Sequence, residues 1–321
     1  MLVYRARLRP ESATLSPWQA DMLFGHICWL INYERGEAEL IDLLNQYRQG
    51  EPPVLFSDGF PSDLLPRPVM PSSTPGTDRA RDAQMAAMRA AKEAQDIRWM
   101  NLDDFEKLRR GERIMPRLAL KLKSSRTVLK NQINRLTGGT TAIEEDAGGG
   151  NLYSATELFY LETSGITPTP LNVSIYIKAQ DEKWGEWAHE ILGLLSRSGY
   201  GAKKSAGYGQ FKVIGWERFE HFEAEIPQVN GFISLSNWVP ASNDPVNGYY
   251  TTLIKYGKLG EALANSENPF KFPLTMVSAG SCFLADPPVR EWYGRLVNNI
   301  APADPRVVQY GYAFAVPAYF P

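Results

Sequence analysis

The 321-residue chain is 44% apolar and 22% charged, the balance of a folded domain rather than of a disordered or membrane-spanning chain. No apolar run reaches the ~18 residues of a membrane span, and MLVYRARLRPESATL lacks a signal-peptide core, so a cytoplasmic protein with no membrane contact is expected. A net charge of −2 excludes a uniformly basic nucleic-acid binder, and two isolated cysteines, Cys28 and Cys282, exclude CxxC zinc spacing and suit reduced thiols.

In chain order, LVYRARLRP alternates apolar and polar residues and reads as a strand. SPWQADMLFGHICWLIN opens with Ser16 as N-cap, Pro17 at the first helical position and Gln19 three residues after the cap, a capping-box pattern. Met22, Leu23, Ile27, Leu30 and Ile31 follow at helical spacing. PVLFS is a short strand. Residues 61–79, with LLPRPVMPSSTPG, read as an excursion from the core. RARDAQMAAMRAAKEAQDIRWM has helix formers but a weak apolar stripe, so the stretch 61–112 is expected to be loose alone and either to order on a partner or to bend a bound RNA. RLALKLK alternates, with Leu118, Leu120 and Leu122 on one side and Arg117, Lys121 and Lys123 on the other. From Asn131 to Glu162, two glycine clusters flank an acidic tip and an aromatic strand returns, the pattern of a long hairpin or finger. LNVSIYIK is a strand. WGEWAHEILGLLSRSG is a helix with Trp184, Trp187, Ala188, Ile191, Leu192 and Leu195 on one face and Gly199 as its stop. QFKVIGW is the next strand.

Strand, helix, strand, then strand, helix, strand is the order of a ferredoxin-like or RRM-like domain. The expected fold is therefore α+β. An RRM-like domain spans 1–226, with a large thumb inserted at about 61–150. A second, degenerate ferredoxin-like domain, rich in strand, follows over 227–321, after the acidic FEHFEAEIPQ.

The charges are unevenly spread. Residues 109–135 hold nine Lys/Arg against the single acid Glu112, and residues 196–212 hold four Lys/Arg and no acid. A chain that separates its signs in this way can present one basic face while staying near neutral. The second basic stretch contains GYGAKKSAGYGQF, residues 199–211. It is not a Walker loop, because Lys204-Ser205 precede Gly207 instead of following it at a helix start. It is not a dinucleotide fingerprint either, since it runs from helix to strand and meets a helix C-terminus. Backbone N–H groups and lysines can there hold an extended RNA backbone, or the segment is only a turn-rich connector.

His26, His189 and His221 form no metal-ligating spacing, no nucleophile elbow is present, and no cofactor is called for. His26, on the first helix, reads either as an ordinary half-buried histidine or as a general base for RNA cleavage.

SPWQADMLFGHICWLI, LLPRPVMP, IRWMNLDDFEKLRRGE, the NQINRLTGGT to GGGNLYSATELFY hairpin, GYGAKKSAGYGQF and the closing YGYAFAVP, taken in this order, resemble the fourth subunit of type III-A CRISPR Csm effector complexes, a family of the RAMP superfamily. The resemblance runs the length of the chain. It implies a non-catalytic RNA-binding subunit that holds the 5′ handle of the CRISPR RNA in antiviral defence. Such a subunit joins the large subunit to the backbone of repeated RAMP subunits. Carried over, Gly199, Gly201, Lys203, Lys204, Ser205, Gly207, Tyr208 and Gly209 fall in the handle-binding loop. Asn131, Asn134 and Arg135 fall at the hairpin base, and Arg67 at the entry to the insertion. The basic stretch adds Arg117, Lys121, Lys123 and Arg126. His26 stands where a small residue is expected, so the other reading is a metal-independent endoribonuclease of CRISPR precursor RNA, with His26 as base and Lys203 or Lys204 steadying the phosphorane. A third is a scaffold whose basic face meets acidic protein.

Overall fold

A computed structural model describes residues 1–70, 97–112, 121–131 and 152–321, with Met85, Ile114, Ile133 and Gly139. Strand β1 (Leu2–Pro10) buries Ala6 and Leu8 on one face and carries Arg5, Arg7 and Arg9 on the other. Helix α1 (Ala20–Glu34) starts later than the capping pattern predicts: Gln19 is its N-cap and makes no side-chain cap. Its first amides are satisfied from elsewhere in the chain. Asp58 accepts the Ala20 N–H at 2.9 Å, and the Tyr200 hydroxyl accepts the Gln19 N–H at 3.0 Å. Ser16 to Trp18 stays out of the helix, which lets the Trp18 ring stack on Tyr200 with centroids 4.1 Å apart.

Helix α2 (Glu37–Arg48) was not anticipated, because its acids masked an apolar stripe of Leu43, Leu44 and Tyr47. Strand β2 (Val54–Pro61) is buried throughout. Two short strands, β3 (Leu65–Pro66) and β4 (Trp99–Met100), pair, and helix α3 (Leu102–Arg109) follows. Leu65, Met100 and Phe105 lie in the main core. The Arg109 side chain is fully buried and donates to the carbonyls of His221 (2.5 Å) and Pro317 (3.4 Å). The excursion reading is thus corrected at both ends: 61–70 and 97–112 pack into the molecule, because their few apolar residues, among them Leu65, Met100, Phe105 and Leu108, lie on short strands and a helix that bury them.

Strands β5 (Leu122–Asn131) and β6 (Leu152–Glu162) form a hairpin, from Leu122↔Glu162 to Asn131↔Leu152; its rising strand lies before the expected 131–162 stretch and its returning strand within it. Lys121 lies just before the strand, and Arg117 lies outside the described residues. Strand β7 (Thr169–Pro170) adds to β6. Strand β8 (Val173–Ala179) leads to helix α4 (Glu182–Ser198), where the Asp181 side chain accepts the Trp184 N–H at 2.9 Å and Gly199, at φ +80°, ends the helix as predicted. Strand β9 (Phe211–Arg218) completes a four-stranded antiparallel sheet ordered β2-β8-β1-β9. Helix α4 lies on the Tyr4 side of this sheet, where a Cβ at Gly185 would stand 2.6 Å from the Tyr4 ring.

The remaining strands are β10 (Gly231–Ser234), β11 (Gly248–Tyr249), β12 (Thr252–Lys255), β13 (Leu274–Val277), β14 (Cys282–Leu284), β15 (Trp292–Gly294) and β16 (Tyr312–Ala318). Five of them form a second sheet ordered β11-β14-β10-β16-β15, and β12 pairs with β13. The acidic segment after β9 is a plug between the two sheets. Phe222 packs on Tyr176 of β8 and on Phe314 of β16, and Glu223 accepts the Val3 N–H at 2.7 Å. Lys178, also on the first sheet, donates to the Ala315 carbonyl and the Glu291 carboxylate, each at 2.8 Å. One apolar cluster therefore runs from Val3 to Ala318.

Candidate nucleic-acid interface

The glycine loop is fastened from behind. Gly201 donates its N–H to His26 Nε2 at 2.9 Å, Ala202 to Ser16 Oγ at 3.2 Å, and Gly209 to the Ala13 carbonyl at 2.9 Å. Tyr200 is buried, donates its hydroxyl to the Pro17 carbonyl at 2.6 Å, and closes the loop through its N–H to the Gly209 carbonyl at 2.9 Å. Gly201, Gly207 and Gly209 have φ of +83°, +84° and +70°, a region where a Cβ is strained. At Gly209 the approach is also too close for any side chain, since a Cβ would stand 1.7 Å from the Tyr200 carbonyl oxygen. Lys203 takes the left-handed conformation as well (φ +57°) and leads into a 3-10 turn, Lys204–Ala206. Lys203, Lys204 and Ser205 thus form the outer side of the loop.

His26 is the loop's anchor. Burial, and then the Lys204 charge, lower its pKa to about 4, so the ring is neutral and its Nε2 is an acceptor. A nitrogen already taken by the Gly201 N–H and this weakly basic is poorly suited to abstract a proton.

The hairpin docks on the same loop. Glu157, buried on β6, accepts from the Tyr208 hydroxyl at 2.6 Å and from Arg126 Nε at 2.7 Å. Lys130 bonds the Tyr208 hydroxyl and lies 4.2 Å from its ring centre. Lys203 donates to the Tyr153 hydroxyl at 2.6 Å and sits 4.0 Å above that ring. Lys204 pairs with Glu261 at 2.7 Å.

Of the expected site residues, the loop glycines, Lys203, Lys204, Ser205 and Arg126 come together here. Asn131 is exposed at the end of β5. Tyr208 lies in the loop with them; its ring is buried and its hydroxyl donates to Glu157, so it fixes the loop to the hairpin. Lys121 and Lys123 sit at the opposite end of the hairpin, Lys123 beside Leu161. Seven residue steps of strand separate Lys123 from Lys130, roughly 23 Å. Arg67 is set between Arg98, whose carbonyl accepts its N–H at 2.9 Å, and Gly280, and burial lowers its pKa. Arg117, Asn134 and Arg135 lie outside the described residues.

The sequence reading missed His26 as anchor, and Lys130, Tyr153, Glu157 and Glu261 as loop contacts. Glu157 is legible in retrospect as the one acid in LYSATELFY, facing a strand of bases. Glu261 is not, because fifty-odd residues and a separate sheet intervene. Tyr176, on the face of the first sheet opposite the helices, is buried beneath Phe219 and Phe222 of the segment that follows β9. Among the described residues, no group of three His, Cys, Asp or Glu side chains could hold a metal ion, and no helix is long and apolar enough to cross a membrane.

No family model matches the sequence, and no curated protein does. The fold, however, is that of subunits found in CRISPR Csm assemblies. A chain of the Csm1–Csm4 cassette crystallised with pppApA superposes on 100% of this chain and 99% of its own, with a TM-score of 0.61 and 17% identity. The same cassette with cA4 gives 0.58 and 16% over the same shares. A chain of the Csm3–Csm4 subcomplex of the type III-A CRISPR-Cas interference complex covers 99% of this chain and 100% of its own, at 0.59 and 14% identity. Csm4 is the component these assemblies have in common, and the chain has a Csm4-like fold from end to end, as its ordered motifs implied.

Proposed function

We propose that this chain is a non-catalytic RNA-binding subunit of a type III-A CRISPR ribonucleoprotein in the cytoplasm. It holds the 5′ handle of the CRISPR RNA and links the large subunit to the backbone of repeated RAMP subunits. The observation that carries the reading is the loop. Its amides and glycines are locked from behind by His26, Ser16 and Ala13, while Lys203, Lys204 and Ser205 face outward beside a basic hairpin. An extended phosphodiester chain fits that edge, with lysines meeting phosphates and glycines letting the backbone approach. The Csm4-like fold supports the choice of partners, since the neighbours named above are assemblies with Csm1 and with Csm3. The commitment of His26 to Gly201 favours this reading over an endoribonuclease.

On the same reading, the first sheet with α1 and α4 is a ferredoxin-like unit ending near 226, the hairpin is its thumb, and 227–321 forms a degenerate second unit. Sheet order β2-β8-β1-β9 supports the first assignment.

The test is to purify the chain in its native assembly and sequence the RNA that comes with it. A shared 5′ sequence is expected; recovery of the intact assembly without RNA overturns the proposal in favour of a protein scaffold. In a titration with that RNA, Lys203→Ala with Lys204→Ala should weaken binding and flatten the slope of log affinity against log salt by up to about 1.4, at about 0.7 per phosphate on a single strand. An unchanged slope removes the loop from the interface.

A further inference from the structure

Lys204, one of the two outward lysines of the loop, is occupied. Its ammonium lies 2.7 Å from a carboxylate oxygen of Glu261, which belongs to the second half of the chain and opens a 3-10 turn, Glu261–Asn265. Both side chains are partly shielded, 24% and 30% exposed, so the pair is not a fully solvated surface contact. Glu261 has φ +50°, a left-handed backbone that a glutamate rarely adopts. Gly260 precedes it, and the Glu261 carboxylate accepts from the Lys204 ammonium. A carboxylate held in an unusual backbone conformation against the lysine of a candidate phosphate cradle has the charge and acceptor geometry of a phosphate oxygen.

We propose that Lys204 is a phosphate subsite and that Glu261 is its internal occupant. In the RNA-free chain the carboxylate satisfies Lys204; when RNA binds, a phosphodiester oxygen replaces it and the turn at 261–265 is released. This inference rests on the RNA-binding reading above and adds the exchange. No bond is made or broken beyond the ion pair and its hydrogen bond. RNA occupancy of the loop is thereby coupled to the second half of the chain, which Glu261 ties to Lys204.

The experiment uses the full chain, a fluorescein-labelled single-stranded oligouridine as probe, and circular dichroism to check each fold. Glu261→Gln keeps the shape and removes the charge. It should bind the probe about two- to fivefold more tightly than the wild type, the range expected for losing one competing, partly shielded ion pair near the surface. In a Lys204→Ala background the same substitution should change nothing, which a gain caused merely by reduced overall negative charge would not reproduce. Hydrogen exchange supplies the second readout: the Leu263 and Ser266 amides, bonded within the turn to Gly260 and Leu263, should exchange faster once RNA is added to the wild type, and not in Lys204→Ala. If the wild type binds the probe but Glu261→Gln binds it equally, the internal-occupant proposal fails and the RNA reading stands. A gain that persists without Lys204 also overturns it. If the wild type binds no probe while Glu261→Gln likewise binds none, both readings of the loop fall.

Discussion

His26 and Asp58 are two buried titratable groups with opposite consequences for pH. His26 has its pKa lowered to about 4 by burial, below the 6.5 of an unfolded histidine. The unfolded chain therefore binds the proton more readily, and the stability His26 supplies is present above pH 6.5 and is lost as pH falls toward 4. His26→Gln, which keeps an acceptor for Gly201 without titrating, should flatten this acid limb in melts followed between pH 4 and 7; an unaltered limb would show that the imidazole does not control it. Asp58 runs the other way. Its carboxyl is buried, accepts the Ala20 N–H, and is pushed up to about 7 by desolvation and then the nearby Asp21 charge, against the opposing pull of the Ala20 and Asn237 amides and of Lys255. Its contribution is complete below pH 3.8 and declines as pH rises through 7. Asp58→Asn keeps the cap on α1 and should be the more stable protein at pH 8, by on the order of 2–4 kcal/mol, with the difference vanishing near pH 4. Equal stabilities at pH 8 would contradict the burial argument. Neither role could be read from the sequence. A histidine in FGHICW and an aspartate in FSDGF show their residue type, while their pKa depends on what the fold lays over them.

At the scale of elements, the loop and the hairpin act as one unit through Glu157. Its carboxylate gathers Arg126, Lys130 and Tyr208, and with Glu157→Ala those two cations and a buried hydroxyl lose their acceptor. Loss of about 1–3 kcal/mol of stability is expected, together with looser anchoring of the hairpin, seen as faster proteolysis between β5 and β6. Proteolysis at the wild-type rate would mean that the hairpin is held by something else. Gly209→Ala should be worse than its small size suggests, because its Cβ meets the Tyr200 carbonyl; a fully stable variant would refute the close approach. Helices and strands with clean periodicity were legible: α4, with its apolar stripe and Gly199 stop, and β1, β2, β8 and β9 all lie where pattern puts them. α2 was not, since three apolar residues among acids give a weak signal, and the start of α1 was not, since its amides are capped by residues distant in sequence.

For the molecule as a whole, the two large sheets share one core, joined at Phe314, Phe222 and Tyr176. Phe314→Ala should cost about 3–5 kcal/mol, and it should lower the melting of both sheets together, not the second alone; two separate transitions in calorimetry would break this expectation. The α+β class was legible from the order of elements. That the second half lies across the face of the first sheet was not, because the covered face of β8 carries Ser174 and Lys178, so the strand alternates like one open to water, and the carbonyl that takes Lys178, that of Ala315, lies more than a hundred positions away.

The sheet order sets a timetable for synthesis. β1 is an inner strand of the first sheet, and both its neighbours, β8 and β9, come from residues 173–179 and 211–218. At roughly 5–20 residues per second on the ribosome, β1 waits about 8–34 s before its first neighbour, β8, exists, and about 10–42 s before it has both. Throughout that interval its apolar face and unpaired backbone are available to other chains. The loop at 199–209 is fastened to residues 13–26, so it too can close only after this delay. A nascent chain of this protein therefore passes through a long aggregation-exposed window, and its yield should depend on holding chaperones and on the speed of translation before residue 218.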